Sequence, residues 1–109
     1  MNLNITTVGK YKMISIQDEL NVLSDVSELQ YLIDGYINAG IIHIGLVFSN
    51  TSYIYSGAIA VLVDCHKKVE AEAEGDFCII EPNDDIRKIF EILHLTEIFR
   101  ICNSIDELY

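Results

Sequence analysis

Cations are scarce in this chain. Seven Lys and Arg stand against 17 Asp and Glu among 109 residues, a formal charge of −10 at neutral pH. Affinity for a phosphate backbone comes chiefly from clustered cations, so a general nucleic-acid binder is excluded, and an anionic membrane is an equally poor match. Cysteine is sparse too: Cys65, Cys78 and Cys102 are odd in number, widely spaced and without a C-x-x-C pair. Each sits among apolar neighbours, as in Asp76-Phe77-Cys78-Ile79-Ile80, where a free thiol behaves as a small hydrophobe. That usage fits a reducing cytoplasm rather than a disulfide scaffold. No apolar run approaches the ~20 residues that cross a bilayer. Met1-Asn2-Leu3-Asn4-Ile5 lacks the basic stretch and apolar core of a signal peptide. The expectation is a cytoplasmic protein without membrane insertion. The six glycines are scattered and build no phosphate-cradling loop, so no ATP site is expected.

What is present is globular. Apolar residues make up 50% and charged ones 22%, and the length suits one domain over residues 1–109. A chain this long buries roughly 65% of its unfolded surface and needs neither disulfide nor metal to fold. Residues 3–8 and 12–17 read as strands joined by Gly9-Lys10. From Ser24 the period becomes helical: Val26, Leu29, Ile33 and Ile37 recur, Ser24 or Asp25 caps the start, and Gly40 follows the end. Ile41 to Phe48 is an apolar run suited to a strand buried on both faces. A second helix is expected from Ser56 to about Ala73, with Ile59, Leu62, Val63, His66 and Val69 on one face and Gly75 as its stop. Phe77 to Ile80 reads as a strand. Pro82-Asn83-Asp84-Asp85 opens a third helix with the face Ile86, Ile89, Phe90 and Leu93, and Ile98 to Cys102 reads as a last strand. Ser104 with Glu107 is a capping-box signature for a final turn. The order ββαβαβαβα indicates an α/β fold around one mixed sheet of four to five strands with about four helices.

The chemistry-bearing residues give no catalytic set. Asp64-Cys65-His66 point about 100° apart on a helix, and no nucleophile–base or carboxylate pair emerges, so no enzyme and no cofactor are expected. His66 and Glu70 stand at i, i+4 without a third ligand at metal-site spacing, which reads as the edge of a half-buried helix face rather than a metal site. His43 reads as a core histidine, and Glu70, Glu72 and Glu74 as a solvated helix end.

Four segments resemble the STAS domain family, which includes the anti-sigma factor antagonists. Asp18-Glu19-Leu20-Asn21-Val22-Leu23-Ser24 resembles its Gly-Glu-Leu-Asp-x-x-Ser/Thr stretch before the first helix. Ser49-Asn50-Thr51-Ser52-Tyr53-Ile54-Tyr55-Ser56-Gly57-Ala58-Ile59 resembles the loop and helix start that normally end in Asp-Ser-Ser-Gly-Leu. Ile86 to Phe99 is similar without gaps to Val-Arg-Arg-Leu-Phe-Glu-Leu-Thr-Gly-Leu-Asp-Lys-Leu-Phe, and Ser104-Ile105-Asp106-Glu107-Leu108 to the closing helix. The resemblance covers essentially the whole chain. It implies a module that binds an anti-sigma factor and frees a sigma factor. The anti-sigma factor is typically an ATP-dependent serine kinase, which phosphorylates a serine at the start of the second helix and so ends the complex. A phosphatase resets the switch.

The chain departs from the pattern at the switch itself. Aligned without a gap, Tyr55 stands for the motif aspartate, Ser56 for the first serine, Gly57 for the phosphoacceptor and Ala58 for the glycine. One deletion in the loop instead places Ser56 on the acceptor and Gly57 on the glycine. The first alignment keeps Ile59-Ala60-Val61-Leu62 in step with the family and is preferred. Asp18 and His94 also replace glycines, and Asn21 an aspartate.

On the ungapped alignment the switch serine is missing; the gapped one makes Ser56 the candidate phosphoacceptor, against a plain N-cap role that serine fills without regulation. Asn21, Ser24, Tyr53, Tyr55, Ser56 and Gly57 are the candidate partner-binding residues. Tyr55 reads either as an exposed anchor or as a ring folded back over the helix start. The expected partner is an anti-sigma factor with serine kinase activity; a homodimer is left open. The rival expectation is a non-phosphorylated scaffold subunit of a stressosome-like or transport assembly.

Overall fold

In the computed structural model, which describes residues 2–21 and 24–108, Gly9 and Lys10 form a two-residue turn between β1 (Leu3–Val8) and β2 (Tyr11–Ile16). Gly9 supplies the positive φ that such a tight hairpin needs. Helices and parallel strands then alternate: α1 (Ser27–Asn38), β3 (His43–Val47), α2 (Ser56–Glu70), β4 (Asp76–Ile80), α3 (Asp84–Ile92) and β5 (Arg100–Cys102). Short 3-10 helices cover Leu95–Glu97 and Ile105–Leu108. The sheet order is β1-β2-β3-β4-β5, with β1 antiparallel to β2 and every later pair parallel. The order expected from the sequence is the one observed. Its last turn is 3-10, with the Glu107 carboxylate accepting from the Ser104 N–H at 2.9 Å as a capping box requires.

Alternation along the strands gives the sheet two buried faces. Ile14, Ile16, Ile44, Leu46, Phe77 and Ile79 meet Leu29 and Ile33 of α1, Leu62, Cys65 and Val69 of α2, and Ile86 and Phe90 of α3. On the opposite face Tyr11, Met13, Val47, Cys78, Ile80 and Cys102 are closed over by Ile105 and Leu108. Gly45 makes room there for Met13, whose sulfur would lie 2.8 Å from any Cβ at that position.

Five local expectations need correction. Helix α1 starts at Ser27 with Val26 as N-cap, because Asp25 accepts from the Ser27 N–H and hydroxyl and keeps the preceding chain in a turn. The inward face of α2 is Ala58, Leu62, Cys65 and Val69, while Ile59, Val63 and His66 are half-buried at its edge. Helix α2 stops at Glu70, and Gly75 acts by close approach, since a Cβ there would sit 2.0 Å from the Val69 carbonyl oxygen. Leu93 is 49% exposed, because His94 turns into the left-handed region (φ 59°) and ends α3 before that side chain can face inward. His43 is half-buried rather than core, its ring edge-on to Tyr11 at 5.4 Å. His66 lies edge-on to Phe77 and Phe99, with Nε2 3.9 Å from Glu70, at the rim of the helix face as expected.

Burial fixes the protonation of several acids in the core. It pushes the Tyr11 phenol, which donates to Asp76, from 10.0 up to about 12, and the Cys65 thiol from 9.0 up to about 12. It also raises the Cys78 and Cys102 thiols. The unfolded chain loses these protons first, so the stability they contribute is complete below about pH 9 and falls as pH rises towards 12. Urea unfolding at pH 8, 10 and 11 is expected to show a falling midpoint, and Tyr11→Phe to flatten the part above pH 10. A midpoint constant to pH 11 would contradict this.

Candidate partner-binding site

Because β2, β3 and β4 are parallel, the loops that follow them emerge at one end of the sheet, where α1, α2 and α3 begin. Two of these loops are joined by a parallel bridge between Leu20 and Ile54, both buried. Leu20 N–H donates to the Tyr53 carbonyl at 2.9 Å, and Tyr55 N–H to the Leu20 carbonyl at 2.8 Å. Thr51, fully buried, places its hydroxyl 2.9 Å from the Asp18 carbonyl and 3.2 Å from that of Ile16. The Glu19 carboxylate accepts from both the N–H and the hydroxyl of Ser52, at 3.1 and 3.0 Å. From the other side Asn83 donates to the Thr51 carbonyl while its oxygen caps α3 through the Ile86 N–H at 3.0 Å.

The sequence-expected residues fall on this frame unevenly. Ser24 braces the first loop instead of capping α1: its hydroxyl donates to the Glu19 carbonyl at 3.1 Å and accepts from the Asn21 N–H at 3.2 Å. Val22 and Leu23, part of the same motif, lie outside the described residues. Tyr53 is 50% exposed beside the bridge. Ser56 is exposed as the first residue of α2 and is not its N-cap, a position held by Tyr55 with an extended backbone (φ −87°, ψ 165°) and no side-chain cap. The Tyr55 ring is folded back over the helix start: a Cβ on Gly57 would lie 2.5 Å from its Cε2. The Leu20–Ile54 bridge thus sets the loop of Asn21, which Ser24 braces, against the segment that runs from Tyr53 into the start of α2 with Tyr55, Ser56 and Gly57.

Sequence reasoning missed the residues that hold the site, Glu19, Thr51, Ser52 and the second bond of Asn83. It also passed over a charge pattern in plain view. From Met13 to His66 there is no Lys or Arg, while Asp18, Glu19, Asp25 and Glu28 fall in or beside the first loop. The two bridged loops are thus anionic and carry no Lys or Arg. Among the described residues no group of three or more His, Cys, Asp or Glu could hold a metal ion, and no helix is long and apolar enough to cross a membrane.

Comparison with known proteins places this geometry. A protein of Thermotoga maritima named as a candidate anti-sigma factor antagonist is 27% identical over 89 residues, 82% of this chain and 78% of that one. The crystal structure of a Thermotoga maritima protein with the same description superposes with a TM-score of 0.84 at 24% identity, covering 97% of this chain and 90% of that one. The Bacillus protein SpoIIAA in its phosphorylated form gives a TM-score of 0.75 at 19% identity, covering 98% and 96%. The STAS domain family matches residues 2–108. With four motifs in order, a mixed sheet of the same architecture and a match over nearly its whole length, the chain belongs to the STAS domain family.

Proposed function

We propose that this chain is a non-enzymatic regulatory module that binds an anti-sigma factor and thereby releases a sigma factor in the cytoplasm, acting as one domain over residues 1–109. The observation that supports it most is the Leu20–Ile54 bridge, which assembles Asn21, Ser24, Tyr53 and the start of α2 into one exposed surface in a chain with antagonist relatives.

Control by phosphorylation of Ser56 by a serine-kinase anti-sigma factor has a physical basis. A phosphate on the first helical residue meets unpaired N–H groups and the positive end of the α2 dipole, so the module stays folded. It adds about −1.5 to −2 charge in a place where an interface would have to desolvate it. Against an anti-sigma factor of the same organism, Ser56→Asp is expected to weaken binding roughly tenfold or more and Ser56→Ala less than about threefold, by calorimetry on folded variants. Equal affinities for all three forms would remove phosphorylation control. No binding by the wild type would remove the antagonist role.

A second reading, a constitutive scaffold without a switch, is favoured by the Gly57–Tyr55 contact. On the ungapped alignment the acceptor position carries no hydroxyl, and the Tyr55 ring fills the space a side chain there would need. Unphosphorylated Ser56 in protein from its native lysate, captured with transport or assembly subunits, is the outcome that this reading expects.

A further inference from the structure

We infer that the free edge of β1 is a self-association surface, pairing antiparallel with β1 of a second copy to make one continuous ten-stranded sheet. The inference rests on the fold and is independent of the anti-sigma reading.

The two edges of the sheet are managed differently. β5 has three residues and carries Arg100, which pairs with Asp76; shortness and charge are usual ways of blunting an edge. β1 has six residues, Leu-Asn-Ile-Thr-Thr-Val, with no charge, proline or bulge, and pairs with β2 in unbroken register. In a chain with 24 charged side chains, the segment 2–9 has none. Ile5, at its centre, is 42% exposed.

Hydrogen-bond parity fixes the geometry of pairing. Across a two-residue hairpin Val8 and Tyr11 exchange backbone bonds, so Val8, Thr6 and Asn4 direct their N–H and C=O groups at β2. The Gln17 N–H to Asn2 carbonyl bond of 3.0 Å continues that parity. Leu3, Ile5 and Thr7 therefore point theirs outward. Antiparallel pairing satisfies them only when these three oppose one another, and the register with Ile5 on the two-fold axis does so completely: Leu3 faces Thr7 of the second copy, Ile5 faces Ile5, Thr7 faces Leu3. Val8 then opposes Asn2 of the second copy, so the paired segments carry no charge of either sign to repel one another in a chain of net charge −10. The seam is thus uncharged along its length and apolar at its centre. The contact is isologous, and because it consumes both β1 edges and leaves only the blunted β5 edges, it closes at two copies.

The test is sedimentation of the full chain from micromolar to millimolar concentration, combined with thiol trapping. The wild type is expected to pass from 12.3 kDa to twice that mass. Ile5→Cys should cross-link when diamide takes up the two protons and two electrons of the facing thiols. A hydrogen-bonded antiparallel pair sets their Cα atoms about 5.5 Å apart, within disulfide reach. The native Cys65, Cys78 and Cys102 are buried and do not compete. Thr6→Cys, on the opposite face and opposite Asn4, should cross-link at least about tenfold more slowly. Ile5→Lys, at an exposed position that tolerates charge in the monomer, should raise the dimer dissociation constant roughly tenfold or more, by setting like charges face to face. A chain that stays monomeric at millimolar concentration, equal cross-linking of the two cysteine variants, or a dimer indifferent to Ile5→Lys would each overturn the inference.

Discussion

Gly75→Ala should lower the unfolding free energy by about 3 kcal/mol or more, a large share of a domain's usual margin. The new Cβ would lie 2.0 Å from the Val69 carbonyl oxygen and 3.2 Å from that of Glu72, and neither atom can move without the backbone. Relief requires rebuilding the turn from α2 to β4. That turn carries the Gly75 N–H to Glu72 carbonyl bond (3.0 Å) and, one residue on, the Asp76 N–H to Ile42 carbonyl bond (2.9 Å) that starts β4 against β3. Each bond lost costs about 1 kcal/mol, and a shift at Asp76 is passed to buried Phe77. Gly35→Ala is the internal control with the opposite sign. It sits exposed inside α1 with nothing within 4 Å of its added Cβ, so it should gain about 1 kcal/mol from helix propensity. Urea unfolding of both variants checks the pair; equal effects would contradict the close approach at Gly75.

The second large effect concerns the start of α2. Gly57→Ser is expected to expel the Tyr55 ring, because the obstructing atoms belong to a side chain that can swing away rather than to backbone. Helix propensity gained at position 57 offsets part of the lost ring packing, leaving stability within about 1 kcal/mol of wild type. Partner affinity should nevertheless fall roughly tenfold or more, since the ring and the glycine beneath it form the middle of the proposed surface. NMR of the Tyr55 ring and calorimetry with the anti-sigma factor read the two parts separately. A displaced ring with unchanged affinity would take Tyr55 out of the docking surface.

Much of this architecture is legible in the residues, and the failures have physical causes. The run before Phe48 reads as a two-face-buried strand because Ile44, Leu46 and Val47 serve both layers. The face of α2 reads wrongly because Ala58, Ile59, Val61, Leu62 and Val63 make its first half apolar nearly all round. Its phase is then set by what packs beside it, which a periodicity cannot see. Leu93 misleads in the same way: helical spacing places it inward, but the left-handed turn at His94 ends the helix first. The site's own support is invisible locally. Glu19 with Ser52 and Asn83 with Thr51 bridge 33 and 32 residues, and such bonds leave no mark on the neighbouring sequence. What the sequence does carry is the short polar loop, the serine at the helix start and the absence of cations around both.

The most direct test of the proposed function is amide shift mapping of the isotope-labelled protein during titration with its anti-sigma factor. The expected result is perturbation concentrated at residues 18–21 and 24 and from 50 to the first turn of α2. Binding that perturbs the β5 side of the sheet and leaves Asn21, Tyr53 and Ser56 unmoved, or no binding at all, would contradict it.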